Sequence, residues 1–106
     1  MTTTRELAIP IPHEEIAAFC RKWGIRRLSF FGSIVRDDFD PERSDVDVLV
    51  EYKKDEGPRG FQIFTAEREL AEILGRKVDL CEPVELSRWM IKDVLAESVD
   101  EYVEAV

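Results

Sequence analysis

The residues that could do chemistry in this sequence are concentrated in one short stretch. Gly32 and Ser33 interrupt an apolar segment, Arg36 follows them, and Asp45 and Asp47 lie two residues apart in a second apolar segment. Alternate residues of a strand point to the same face, so these two carboxylates would share one side of a sheet. A glycine-serine turn facing paired carboxylates is a layout that could bind phosphate groups beside a metal ion.

The first segment has the residue types of an anion site. Gly32 permits a tight turn and the close approach of a ligand. Ser33 is expected to open a short helix through about Arg36, so that its hydroxyl and backbone N–H could donate to a phosphate, while the guanidinium points the same way. Gly32 and Ser33 also fit an ordinary strand-to-helix turn, and Arg36 could instead pair with Asp37 or Asp40.

The second segment supplies the carboxylates of a metal site. Asp45 and Asp47 would have Cα atoms about 7 Å apart, and Asp79 would join them across about 4.8 Å if its strand lies beside theirs. Carboxylates at such distances repel one another, and Mg²⁺ would remove the conflict while keeping positions open for water and phosphate. Two ions about 4 Å apart could serve phosphoryl chemistry. The alternative is a strand face paired with Arg27 or Arg43 and a solvated Asp79.

Helices and strands that would position these residues follow from the apolar periodicity. The predicted elements are a helix from His13 that Gly24 ends, a strand Ile25 to Phe31, the short helix from Ser33, a strand Asp45 to Tyr52, a helix Phe61 to Leu74, a strand Arg76 to Cys81, and a helix after Pro83 with apolar residues Trp89, Ile91, Val94, Leu95 and Val99. Three strands covered on one face by helices make a small two-layer α+β domain.

Two features of this pattern stay open. Periodicity does not decide whether Tyr102 and Val103 extend the last helix or form a short edge strand. Trp89 and Tyr102 fit either the core or a surface for a partner. Residues 1–12 are expected to form a loose or docked arm before a folded domain over residues 13–106.

Composition narrows the class of protein. The 106 residues suffice for one compact domain, and 15 Lys+Arg against 23 Asp+Glu give a net charge of −8. Such a surface repels a phosphate backbone, so no long nucleic acid should bind directly. With no apolar stretch near 20 residues we expect a cytoplasmic protein without membrane contact. Cys20 and Cys81 are predicted to be buried thiols, and His13 to lie at the surface near a helix start.

Taken together, Gly32-Ser33-x-x-Arg36, Ser44-Asp45-x-Asp47-x-Leu49-Val50 and Val78-Asp79-Leu80 resemble the minimal nucleotidyltransferase family of the polymerase-beta-like superfamily. Members of this family are the antitoxins of many HEPN/MNT toxin–antitoxin pairs. The resemblance runs from about the first helix to the end of the chain.

The resemblance implies a small mixed β-sheet with flanking helices, ATP as substrate and Mg²⁺ as cofactor. Carried over by position, Asp45, Asp47 and Asp79 would be the catalytic, metal-binding carboxylates, and Gly32 and Ser33 would hold the triphosphate, with Arg36 nearby. The reaction implied is transfer of AMP to a tyrosine of a HEPN ribonuclease toxin encoded by a neighbouring gene, with Asp79 assisting deprotonation of the acceptor. An oligomeric complex with that toxin is expected.

Two other functions compete with this hypothesis. The chain could be a non-catalytic antitoxin that neutralises its toxin by binding alone. Transfer to a small molecule, as in drug-modifying nucleotidyltransferases, would need a second domain for the acceptor pocket, and we expect none in this chain.

Overall fold

A computed structural model describes residues 7, 9–36, 39–40 and 42–104. Its helices and strands are α1 (His13–Trp23), β1 (Ile25–Phe31), β2 (Val46–Tyr52), α2 (Gln62–Leu74), β3 (Val78–Cys81), α3 (Arg88–Glu97) and β4 (Val99–Val103), with short 3₁₀ turns at Gly32–Val35 and Pro83–Glu85. The predicted bounds of β1 are confirmed, and those of β2, α2 and β3 are confirmed to within two residues.

The strands form one mixed sheet in the order β3-β2-β1-β4. Strand β1 runs antiparallel to both β2 and β4, whereas β2 and β3 are parallel and joined through α2. A crossover helix is the usual connection between parallel neighbours. The small mixed sheet with flanking helices that the resemblance implied is therefore confirmed.

The sheet has four strands, not three, because the segment after α3 pairs with β1. Val99 lies opposite Phe30, and Tyr102 lies opposite Leu28. The helical spacing that linked Val99 to α3 was thus misleading, and the open alternative for Tyr102 and Val103 is decided in favour of an edge strand.

The main core lies between one face of the sheet and helices α1 and α2. Its fully buried side chains come from alternate strand positions and from one stripe of each helix: Ile16, Cys20, Ile25, Leu28, Phe30, Val46, Val48, Val50, Leu70 and Val78. Ile9 is also buried there, with Leu7 and Ile11 packed against it, so this described part of the predicted arm docks on the domain. The Leu80 N–H donates to Glu67 Oε2 at 3.0 Å and ties α2 to β3.

A second, smaller cluster covers part of the opposite face. Phe31, Leu49 and Val94 are buried together, with Cys81 and Leu86 packed against them. Because Val94 belongs to α3, helices lie on both faces of the sheet, and the predicted two-layer arrangement was incomplete. Within the described residues, no helix is long and apolar enough to cross a membrane.

Candidate nucleotidyl-transfer site

Asp47 and Asp79 lie directly opposite each other on neighbouring parallel strands. Asp45 immediately precedes β2, and its Oδ2 lies 3.8 Å from Nζ of Lys77, which immediately precedes β3. The Val46 N–H donates to the Lys77 carbonyl at 2.9 Å, which fixes the alignment of the two strand starts. The backbone ladder therefore brings all three predicted aspartates to the same end of the sheet.

Gly32 closes the other side of this group. It follows Phe31, which pairs with Asp47 across the β1–β2 ladder, and its φ of +77° belongs to the left-handed region. A Cβ at this position would overlap Asp47 Oδ2 and lie 3.2 Å from Asp47 Cγ. The absence of a side chain is what lets the turn and the carboxylate approach so closely.

Ser33 is not the N-cap of a helix, contrary to the sequence-based prediction. Gly32–Val35 is a single 3₁₀ turn that starts after the extended Phe31 and ends at Arg36, which is extended as well. Ile34 and Val35 are buried, so core packing at this point ends the turn after four residues. One short turn has little dipole to offer an anion; Ser33 remains half-buried beside Gly32, and Arg36 is exposed.

The pKa of the Asp47 carboxyl is raised, first by burial and then by repulsion from Asp79, Asp45 and Glu97, while the positive charge of Arg36 acts in the opposite direction. The carboxylates therefore repel one another, as expected for a cluster of negative charges that a cation would stabilise. Nevertheless, within the ranges that the structure describes, no three His, Cys, Asp or Glu side chains are arranged to hold a metal ion.

Glu97 is a site residue that the sequence analysis missed. It ends α3, and its Oε1 accepts a hydrogen bond of 3.1 Å from the Gly32 N–H. Nothing in the sequence pairs two residues that lie 65 positions apart. The contact depends on how α3 packs on the second face of the sheet, which apolar periodicity does not specify.

The alternative pairings of the site residues are only partly tested. Arg27 does not neutralise Asp45 or Asp47, because its Nη2 lies 2.7 Å from Oδ2 of Asp100 on β4. The alternative pairing of Arg36 with Asp37 falls on a residue outside the described ranges.

The other residues singled out from the sequence have ordinary positions. Cys20 is buried and Cys81 half-buried; both are free, and burial raises the pKa of the Cys20 thiol to about 12. His13 begins α1 at the surface and contacts Glu101. Tyr102 packs against the main core.

Helix α3 carries large apolar side chains that none of the described residues cover. Trp89 is 83 % exposed, with Met90 and Leu95 each more than half exposed, and Val94 is the only buried residue of this helix. Phe61, just before α2, and Phe64 in its first turn are also exposed, although both belong to the apolar residues whose spacing predicts this helix. Trp89 is therefore not a core residue. Of the two alternatives for this side chain, the one that remains is a surface for a partner.

Comparison with known proteins agrees with this geometry. The model of the nucleotidyltransferase domain family matches residues 14–101. The protein adenylyltransferase MntA of Thermococcus cleftensis is 37 % identical over 78 residues, which cover 74 % of this chain and 76 % of that protein.

Solved structures show the same fold at lower sequence identity. A toxin–antitoxin complex crystallised with AMP-PNP superposes with a TM-score of 0.70 at 18 % identity, over 89 % of this chain and 75 % of that chain. A complex of a tri-AMPylated Shewanella oneidensis HEPN toxin with its MNT antitoxin gives a TM-score of 0.61 at 18 % identity, over 87 % and 70 % of the two chains. On the family match, this chain belongs to the nucleotidyltransferase domain family and has the fold of its minimal members.

Proposed function

We propose that this protein is a Mg²⁺-dependent protein adenylyltransferase that acts as an antitoxin. It transfers AMP from ATP to a tyrosine of a HEPN ribonuclease toxin encoded by a neighbouring gene and so neutralises the toxin. The observation that carries the proposal is the register of Asp47 with Asp79, with the backbone of Gly32 against Asp47. Similarity to a protein adenylyltransferase and to toxin–antitoxin complexes supports the choice of reaction and partner.

The three carboxylates suit the cofactor by their chemistry, and to hold it their side chains would have to turn toward a common point. Asp45, Asp47 and Asp79 are hard oxygen ligands at one end of the sheet, and their mutual repulsion is what a divalent cation relieves. These three residues would hold two Mg²⁺ ions, which when bound neutralise the carboxylates and the triphosphate and favour attack on the α-phosphate.

The other residues of the site bind the nucleotide, and one of the carboxylates also takes the proton of the acceptor. Gly32 and Ser33 hold the triphosphate, and Arg36 adds positive charge beside Asp47. Asp79 is exposed on the outer strand, where an acceptor hydroxyl can reach it and give up its proton. The hydroxyl oxygen then bonds to the α-phosphorus, and pyrophosphate leaves.

The toxin is proposed to bind the exposed side of α3. On this helix Trp89 is more than four-fifths exposed, and Met90 and Leu95 are more than half exposed; Val84, in the 3₁₀ turn before it, is also more than four-fifths exposed. Large apolar side chains that stay exposed on one element are typical of protein interfaces. The same helix ends at Glu97 beside the site, so a partner seated on α3 lies close to the carboxylates.

The cytoplasm is the compartment that suits this proposal. The reaction consumes ATP, and the two cysteines are free thiols, as is usual where disulfides do not form.

Intact-mass spectrometry of the partner tests the proposal directly. After incubation with this protein, ATP and Mg²⁺, the toxin should gain about 329 Da, the mass of AMP less water, as expected for a transferase that leaves a covalent product. The Asp45→Asn/Asp47→Asn variant should give no increment. Glu14→Gln/Glu15→Gln removes the same charge from the exposed start of α1 and should transfer AMP normally.

The second candidate is an antitoxin that acts by binding alone, which the exposed apolar side of α3 also favours. A stable complex without any mass increment, and with neutralisation retained by the Asp45→Asn/Asp47→Asn variant, would establish this candidate in place of adenylyl transfer.

A further inference from the structure

Glu97 is held beside the site by the packing of α3. One turn before it, Val94 is only 5 % exposed and is buried with Phe31 and Leu49, on the face of the sheet that also carries Asp47. Phe31 immediately precedes Gly32, so the same contact that seats α3 brings Glu97 to the turn.

The backbone of Gly32 lies between two carboxylates. Its N–H donates to Glu97 Oε1 at 3.1 Å, and its Cα faces the Asp47 carboxylate so closely that a Cβ would overlap Oδ2. Glu97 is therefore a fourth negative charge at the site. Its carboxylate already accepts the hydrogen bond from the Gly32 N–H, which faces the site.

Under the proposed function, this N–H is one of the donors that the triphosphate requires. A backbone N–H supplies one proton and cannot serve two anionic acceptors at full strength. A carboxylate next to the incoming phosphates also repels them. Glu97 is only half-buried and lies outside the main core, so exchanging its hydrogen bond to Gly32 for a phosphate contact leaves that core closed.

We propose that Glu97 is an internal anion that competes with the nucleotide's triphosphate for the Gly32 N–H and thereby sets the affinity of the site for nucleotide. This inference rests on the proposed function. Glu97 is a positioning residue, since it acts through Gly32. With nucleotide absent it holds the turn against Asp47, and with nucleotide bound it must give up that hydrogen bond.

Calorimetric titration with ATP and with inorganic tripolyphosphate, both in Mg²⁺, tests the competition. Glu97→Gln keeps an oxygen acceptor but removes the charge, so it competes less well. We expect the Kd of both ligands to fall about fivefold. That factor is the equilibrium constant that corresponds to the difference in strength between a hydrogen bond to a charged acceptor and one to a neutral acceptor. Glu97→Ala removes the acceptor altogether and should tighten binding at least as much. Glu14→Gln, an equal loss of charge far from the turn, should leave both affinities unchanged.

A purely structural role for Glu97 predicts the opposite sign. If Glu97 only attached α3 to the turn, both variants would loosen the site, and affinity for ATP and tripolyphosphate would fall or stay the same; that result overturns the inference. The ¹⁵N–¹H signal of Gly32 gives a second readout. Tripolyphosphate should shift it strongly in Glu97→Ala, where the N–H gains an anionic acceptor, and less in the natural protein, where a phosphate oxygen replaces the Glu97 carboxylate.

The inference and the proposed function fail in different ways. Tight ATP binding by the natural protein with no gain in Glu97→Gln overturns the role of Glu97 and leaves adenylyl transfer standing. Tighter binding in the variant with no AMP on the toxin supports the role of Glu97 and removes adenylyl transfer. No binding of either ligand by any variant overturns both.

Discussion

Replacement of Gly32 by alanine should separate stability from activity. The left-handed φ of +77° costs a residue with a side chain about 1–2 kcal/mol relative to glycine. The new Cβ would meet Asp47 at its carboxylate oxygen and at Cγ, at 3.2 Å for the latter. Because the carboxylate is the end of a flexible side chain, it can rotate away, and this adds only about 0.5–1 kcal/mol of off-rotamer strain.

Gly75→Ala is the matched control. Gly75 has nearly the same backbone, with φ +72°, but a Cβ there meets nothing within 4 Å. Gly75→Ala should therefore lose about 1–2 kcal/mol and Gly32→Ala about 1.5–3 kcal/mol in urea unfolding, or about 4–16 °C and about 6–24 °C in Tm for a domain of this size. Only Gly32→Ala turns the Asp47 carboxylate out of place, and a misplacement of about 1 Å at a reacting centre costs about 100-fold in rate.

The assay is the rate at which the toxin gains AMP, measured beside urea unfolding of both variants. We expect the two proteins to differ in stability by no more than about 1 kcal/mol, with transfer about 100-fold slower in Gly32→Ala and normal in Gly75→Ala. Equal transfer rates in the two variants would refute the reasoning, because the contact between Gly32 and Asp47 would then have no bearing on the site.

Two further predictions concern the surface of the domain. Trp89→Ala should leave the free energy of unfolding within about 0.5 kcal/mol, because the side chain is 83 % exposed, yet weaken toxin binding at least tenfold by calorimetry. Phe61→Ala, at a site 88 % exposed, is the control, and an equal loss there would argue against α3 as the binding face. Asp100 accepts hydrogen bonds from Arg27 and Ser29, which lower its pKa below the ordinary 3.8. The stabilisation from the Asp100 carboxylate is present above pH 3.8 and is lost as pH falls through its lower pKa in the folded protein. In urea unfolding, Asp100→Asn should therefore be less stable than the natural protein by no more than about 1 kcal/mol at pH 7 and equally stable near pH 2. A difference in stability that persists at pH 2 would contradict this.

The sequence predicted those parts of the fold that a local pattern determines. Strand β1 was predicted from Ile25 to Phe31, and in β2 the residues Val46, Val48 and Val50, which alternate along the sequence, form the face in the main core. Gly24 and Gly75 end α1 and α2 as expected. In each case a few adjacent residues carry the whole signal.

Errors arose where the outcome depends on distant partners. Phe61 and Phe64 have helical spacing, yet spacing does not reveal whether a second element covers that side, and none of the described residues does so. Val99 continues the period of α3, but pairing with β1 makes it a strand residue. In the site, the proximity of Asp47 and Asp79 follows from the assumption that their strands are adjacent, which the structure confirms. The contact of Glu97 with Gly32 is not indicated by any local sequence pattern.

The hydrogen bond from Leu80 to Glu67 has a consequence for how this protein can assemble. Strand β3 is an outer strand of only four residues, and exposed backbone groups on such a strand invite pairing with a strand of another molecule. The Leu80 N–H is already taken by the Glu67 carboxylate, so an incoming strand would lose a backbone hydrogen bond and meet a negative charge. The sheet is thereby protected from edge-to-edge aggregation on this side, next to a site that must stay open to a partner.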